Sequence, residues 1–273
     1  MPPRLRSTLV LAGFLALTVP LMPVQWLLLH ISPRAARQLP SLYHRALCRL
    51  IGLRRRVTGG ITPGAPVLIV ANHVSWLDIP LLSAIGPVTF VAKREVSAWP
   101  MVGTLARLQG VIFVDRQRRT DAERTIDEIA ERLIAGGVVV LFAEGTSSDG
   151  ASVRPFLSAL FKVVDAVRIG GAGDRVMLQT LGLAYRRVHG LAVTRAERPL
   201  VSFYGDMDMR TNALAVLGTG PIEAHVSIGP PRALEALGDR KRVAALTEAE
   251  VRAAVVALNR ETATLEIDEV AAP

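Results

Sequence analysis

The stretch ANHVSWLDIP, residues 71–80, sets His73 and Asp78 with four residues between them, directly after an apolar run. A carboxylate beside an imidazole fixes the tautomer and stabilises the imidazolium, so such a pair can take a proton from a hydroxyl. The plainer reading is a strand ending in a polar turn, and the pair alone does not choose between the two. Similar groups follow two other apolar runs: Asp115 and Arg116 after GVIFV, and Glu144, Gly145 and Thr146 after GVVVLF. Arg116 is a two-pronged donor suited to a phosphate or carboxylate. Gly145 lets the backbone approach a ligand, with an N–H available to an oxyanion. Taken singly, Arg116 reads as a surface charge and Glu144 as a solvated turn carboxylate. Three strand ends that all present polar groups point instead to one cleft. No G-x-S-x-G motif favours a covalent serine route. His30, His44, His189 and His225 lack metal-ligand spacing, so structural roles and no metal are expected for them.

The elements that must position these groups follow from periodicity. Short apolar runs at 66–71, 88–92, 110–114, 137–142 and 176–185 alternate with helical stretches. In DAERTIDEIAERLIAGG, Ile126, Ile129, Leu133 and Ile134 share one helical face. The alternation predicts an α/β domain over 61–273, a central sheet, mixed or parallel, flanked by helices. A late strand in EAHVSIG and a helix from about Thr247 to Thr262 complete it. If a helix starts near Val74, capped by Asn72 or Ser75, Asp78 lies little more than a turn along it and can fold back to His73.

Composition bounds the setting. Half of the 273 residues are hydrophobic, mean hydropathy is +0.35 and the formal net charge is +8. Basicity with so much apolar surface fits an anionic membrane better than nucleic acid, for which aromatics at 5% offer few stacking platforms. The one cysteine, Cys48, excludes an internal disulfide and fits a reducing compartment; packing is its expected role. From Ser7 to Pro33 there is no Asp, Glu, Lys or Arg. Residues 1–33 are therefore read as a hydrophobic membrane anchor. Pro20 and Pro23 should kink or break a helix there, leaving a kinked span and a re-entrant hairpin both open. A cleaved signal peptide would be shorter and end in small residues. Residues 34–60 form a basic connector, and 34–56 read as an amphipathic helix, either at the headgroups or merely linking. The heavier positive flank follows the apolar segment, which places the rest of the chain on the cytoplasmic face.

In this order and at these separations, NHVSWLD, GVIFVDR and FAEGTSS resemble the membrane-bound glycerolipid acyltransferases typified by bacterial 1-acylglycerol-3-phosphate acyltransferase. The resemblance runs from about residue 66 to 186. It implies His73 as the base that deprotonates the acceptor hydroxyl and Asp78 as its orienting partner. It implies Arg116, Glu144, Gly145 and Thr146 as the acceptor-binding set, with Lys93 of VAKREV facing the polar head. The donor would be acyl-ACP or acyl-CoA, with direct transfer and no cofactor. The family usually has proline where Ala143 stands, and often arginine at Ser147. It usually reads PFK where this chain has Pro155, Phe156 and Leu157, with Lys162 displaced. Its Pro-Val pair has become Thr180 and Leu181.

The leading acceptor is 1-acyl-sn-glycerol-3-phosphate, giving phosphatidic acid. SSDG, AYRRVHG and YGDMD resemble a branch that acylates lyso-ornithine lipid, the alternative acceptor, where Asp206 and Asp208 would either meet a cationic headgroup or simply be solvated. The reading from another class is a non-catalytic basic protein of the membrane surface.

Overall fold

The apolar N-terminal stretch is one helix, α1 (Pro3–Ile31), in the computed structural model of the chain, which describes residues 2–115 and 119–260. The break expected at Pro20 and Pro23 is absent: both lie inside the helix on exposed positions, and packing on either side of them holds its course. A second helix, α2 (Pro33–Ile51), returns antiparallel along it. A Cβ on Gly13 would stand 2.9 Å from Leu50, Thr18 meets the Tyr43 hydroxyl at 2.8 Å, and Gln25 donates to the Ala36 carbonyl at 2.9 Å.

The helix expected over 34–56 stops at Ile51. Gly52 takes φ +82°, a left-handed cap that ends helices readily. Leu53–Thr58 leave it as a strand, β1, whose register is set by Ile222–Ile228 far along the chain. The basic run Arg54, Arg55 and Arg56 thus edges the sheet and is no part of a connector helix.

Next come β2 (Val67–Ala71), α3 (Asp78–Ser83), β3 (Thr89–Lys93), α4 (Val102–Leu108), β4 (Ile112–Val114), α5 (Arg119–Ile134), β5 (Val138–Phe142), α6 (Lys162–Ile169) and the long β6 (Met177–Val188). After β6 stand β7 (Leu191–Ala192), the single turn α7 (Arg198–Val201), α8 (Met209–Thr219), β8 (Ile222–Ile228), β9 (Arg232–Ala233) and α9 (Arg240–Arg260). The sheet order is β1-β8-β6-β2-β5-β3-β4. From β6 to β4 the strands are parallel, whereas β8 runs antiparallel to β6. The sheet is mixed and helix-covered, as the alternation predicts.

Strand β2 lies at its centre with all five residues buried. Val67, Ile69 and Ala71 enter the core shared with α2, α3 and α8, while Leu68 and Val70 enter the core shared with α5, α6 and α9. Apolar side chains on both faces are what a central parallel strand requires. β2 therefore ends in a fixed place, and the residues after it are aimed by both cores.

Candidate active site

The chain leaves β2 at Ala71 and does not enter a helix near Val74; α3 begins at Asp78. The intervening turn wraps around the Asp78 side chain. Asp78 Oδ2 accepts from the backbone N–H groups of Val74 at 2.8 Å and Ser75 at 3.0 Å, and from His73 Nδ1 at 2.7 Å. Its Oδ1 accepts from the Tyr185 hydroxyl at 2.6 Å. The carboxylate is wholly buried, and so many donors around it keep it an acceptor. Nδ1 of His73 must then carry the proton, which leaves the Nε2 lone pair bare. The His73 side chain is 22% exposed and its ring stacks on Phe142 with centroids 4.1 Å apart. Among the described residues, Asp78 is the one side chain hydrogen-bonded to that ring.

The expected caps work differently. Asn72 pairs with the Leu183 backbone in both directions, donating from Nδ2 to the carbonyl at 3.0 Å and accepting from the N–H at 2.8 Å. It stitches the end of β2 to β6. The Ser75 hydroxyl is buried without a partner.

Glu144, expected to face the acceptor, is almost fully buried. Its two oxygens accept from the backbone N–H groups of His73 and Arg154, each at 2.8 Å. Burial raises its carboxyl above the usual carboxylate range against the pull of those two N–H groups. The His73 carbonyl accepts in turn from the Ser148 N–H at 2.9 Å. One turn after β5 therefore grips the His73 backbone on both sides. Gly145 stands in that turn at φ +70°, and its N–H donates to the Phe142 carbonyl at 3.0 Å, so it is not aimed at an oxyanion. Thr146 is partly buried on the same turn.

Lys93 is exposed at the end of β3, in register with Val114 at the end of β4. Asp115 lies 4.0 Å from the Arg94 guanidinium. Arg116 lies outside the described residues. Asp208 caps α8, its carboxylate accepting from the Thr211 N–H at 2.7 Å, whereas Asp206 is exposed on the preceding loop. That loop is docked on the site: Phe203 N–H donates to the Val74 carbonyl at 2.9 Å, and the Ser147 hydroxyl donates to the Phe203 carbonyl. The indole N–H of Trp76 reaches Asn212 on α8 at 2.9 Å. Cys48 is buried against the Pro80 carbonyl, and burial pushes its thiol up to about 11, an inert packing group. Among the described residues no cluster of His, Cys, Asp and Glu is arranged to hold a metal.

Tyr185 and Phe142 were not singled out from the sequence. Both occupy strand positions that read as core, and only pairing across the sheet shows what they touch. The assembly offers an imidazole with a bare Nε2, a carboxylate on its Nδ1 and, among the described residues, no serine or cysteine bonded to the ring.

A family model described as Acyltransferase matches residues 54–198. The chain is 45% identical to the lyso-ornithine lipid O-acyltransferase of Brucella abortus (strain 2308), over 91% of this chain and 93% of that one. It is 42% identical to the 1-acyl-sn-glycerol-3-phosphate acyltransferase of Neisseria meningitidis serogroup B, over 46% of this chain and 53% of that one. Its fold is that of the crystal structure of the 1-acyl-sn-glycerophosphate acyltransferase PlsC from Thermotoga maritima, with a TM-score of 0.68 at 18% identity, covering 96% of this chain and all of that one.

Proposed function

Because the chain belongs to the acyltransferase family, we propose that it transfers a fatty acyl group from an acyl-ACP or acyl-CoA thioester to the free hydroxyl of a lyso-ornithine lipid. The observation that carries the acceptor is the extent of the likeness. Similarity to the lyso-ornithine lipid enzyme runs almost end to end, whereas that to the glycerol-3-phosphate enzyme spans under half of the chain. Lysophosphatidate, the leading acceptor on the sequence motifs, remains the second reading, favoured by that 42% identity over the shared segment.

The site's geometry supports direct transfer. His73 Nε2 takes the proton of the acceptor hydroxyl as its oxygen attacks the thioester carbonyl. Asp78, hydrogen-bonded to Nδ1, stabilises the imidazolium. The tetrahedral intermediate collapses, the C–S bond breaks, and Nε2 returns the proton to the departing thiolate. Glu144 holds the His73 peptide and is a positioning residue. Lys93 and Thr146 belong to the polar rim around the acceptor, with Arg116 assigned there from the sequence motif.

The headgroup argument rests on Ser147. Where phosphate-handling relatives often carry arginine, this chain has a hydroxyl spent on the Phe203 carbonyl. It secures a loop that carries exposed Tyr204 and Asp206. A missing cation and a nearby carboxylate suit an amine-bearing headgroup better than a phosphate monoester.

Helix α1 supports a place at a membrane surface, and the arginines that follow it support the cytoplasmic leaflet. Its buried side carries Ser7, Thr18 and Gln25, while Leu9, Leu15, Val19, Trp26, Leu27 and Ile31 are exposed. At roughly 1.5 Å per residue it is about 43 Å long, and α2, α4 and α8 cover it from Arg6 to Gln25. A helix packed along one side by the domain lies in the membrane plane, apolar side down, since crossing would drag the domain into the hydrocarbon. The test is lipid analysis: membranes containing the protein receive labelled acyl-ACP or acyl-CoA with either lyso-ornithine lipid or lysophosphatidate. Label in ornithine lipid supports the proposal; label only in phosphatidate assigns the second reading.

A further inference from the structure

The Asp78 carboxylate divides its two oxygens between two tasks. Oδ2 takes the His73 imidazole and the N–H groups of Val74 and Ser75, while Oδ1 has one donor, the Tyr185 hydroxyl at 2.6 Å. Tyr185 comes from β6, 107 residues away in the chain. Its arrival there is fixed by pairing. Asn72 is bonded both ways to the Leu183 backbone, and Leu183 and Tyr185, two apart on a strand, face the same core. A phenylalanine would fill the same volume without asking for a partner, so the hydroxyl is present for what it bonds.

We propose that Tyr185 is a positioning residue of the acyl-transfer centre, whose hydroxyl locks Asp78 Oδ1 and so keeps Oδ2 on the His73 imidazole. It extends the His73–Asp78 pair to a chain of three. Without that donor the carboxylate is free to turn about its Cβ–Cγ bond, and an unpaired anionic oxygen is left in an apolar core. The hydroxyl is a secure donor: burial, with the neighbouring carboxylate adding to it, holds it well above the ordinary phenol value. The other ionisable groups packed around the pair come from different elements. Glu144 bonds the His73 N–H from the turn after β5, and Cys48 approaches from α2 as a neutral thiol. Neither donates to Asp78 Oδ1, so neither replaces Tyr185.

The inference rests on His73 acting as the base and is independent of which lysolipid is the acceptor. The experiment is steady-state kinetics of Tyr185→Phe in full-length, membrane-reconstituted protein, with whichever acceptor the wild type acylates. Expected are a kcat lower by roughly tenfold to a hundredfold and KM values for donor and acceptor within about twofold of wild type, as positioning residues leave binding alone. The low-pH edge of the rate profile should move upward, because a carboxylate that has lost its hydroxyl donor leaves more negative charge beside the ring whichever way it turns. Wild-type kcat with an unmoved edge would overturn the inference. So would a loss of rate that merely tracks loss of folded protein. If Tyr185→Phe does not fold, 3-fluorotyrosine placed at 185 alone keeps the shape and supplies a more acidic hydroxyl; the edge should then move downward, and an unmoved edge overturns the inference equally. Wild-type protein that acylates neither lysolipid sinks the acyl-transfer reading, and this inference with it.

Discussion

Glu144 Oε1 accepts the backbone N–H of His73 at 2.8 Å, so the residue expected to greet the acceptor instead holds the His73 backbone in place. Its other oxygen holds Arg154 N–H, and no third partner shares it among the described residues. Its carboxyl value is raised in the folded state, so between the usual carboxylate range and that raised value the folded chain binds the extra proton. Stability from this group is present at low pH and lost as pH rises through that window. Glu144→Gln should flatten this part of the stability profile in urea titrations run at several pH values. It should also lower activity, since an amide offers one acceptor where two N–H groups need one each; a buried N–H left unpaired costs about 1–3 kcal/mol. An unchanged pH slope would refute the assignment.

His73→Ala removes the side chain proposed to take the proton, and kcat should fall by roughly 10²–10⁴-fold while membrane association persists. Asp78→Asn should fall comparably, because its amide group cannot accept from His73, Val74 and Ser75 as the carboxylate does. Transfer assays beside sedimentation with membranes separate the two properties.

His44 sits buried on α2, with Nε2 facing the Gln109 amide oxygen at 3.1 Å and Nδ1 unpartnered. Burial pushes it down to about 4. The folded chain thus refuses a proton that the unfolded chain accepts at its ordinary value near 6.5. Stability is full above that value and is lost as pH falls toward 4, by about 3 kcal/mol for a shift of this size. His44→Gln should remove that acid-side slope in thermal melts; a slope that survives would show that other groups cause it.

Charged substitutions distinguish the two sides of α1. Leu9→Lys with Leu27→Lys lies on the exposed side and should weaken partition to anionic vesicles by on the order of 1–3 kcal/mol per site. Gln25→Leu should instead lower the domain's Tm, because Gln25 donates to the Ala36 and Leu108 carbonyls on the protein side. A membrane-crossing helix would show the opposite for Gln25, with tighter membrane binding and no loss of Tm.

Ser147→Ala frees the Phe203 carbonyl and loosens the loop bearing Asp206. KM for the lysolipid should rise several-fold with KM for the thioester unchanged. Equal changes in both would place this loop away from the acceptor.

The motifs that carry chemistry were readable because their information is local. His73 and Asp78 fall within one turn, and the strand preceding them announces itself by five consecutive apolar residues. The mixed sheet was equally legible from alternating strand and helix periods. Element limits were less so. Near Arg54 the local mark was Gly52, which ends helices readily, but that the next residues form an edge strand shows only when Ile222–Ile228 arrives to pair with them.

By itself the sequence set out the His73–Asp78 pair, the apolar N-terminal segment and the α/β class, since each depends on residues within a few turns of one another. Tertiary structure decided what each polar group is spent on. Glu144 and Gly145 looked available to a ligand and are used by the backbone; Tyr185 looked like core and reaches Asp78. It also decided which side of α1 remains exposed, because only the packing of α2, α4 and α8 tells that of an apolar helix. Hydrogen-bond partners and burial are properties of approach between distant segments, and the chain does not express them until the sheet has closed in register.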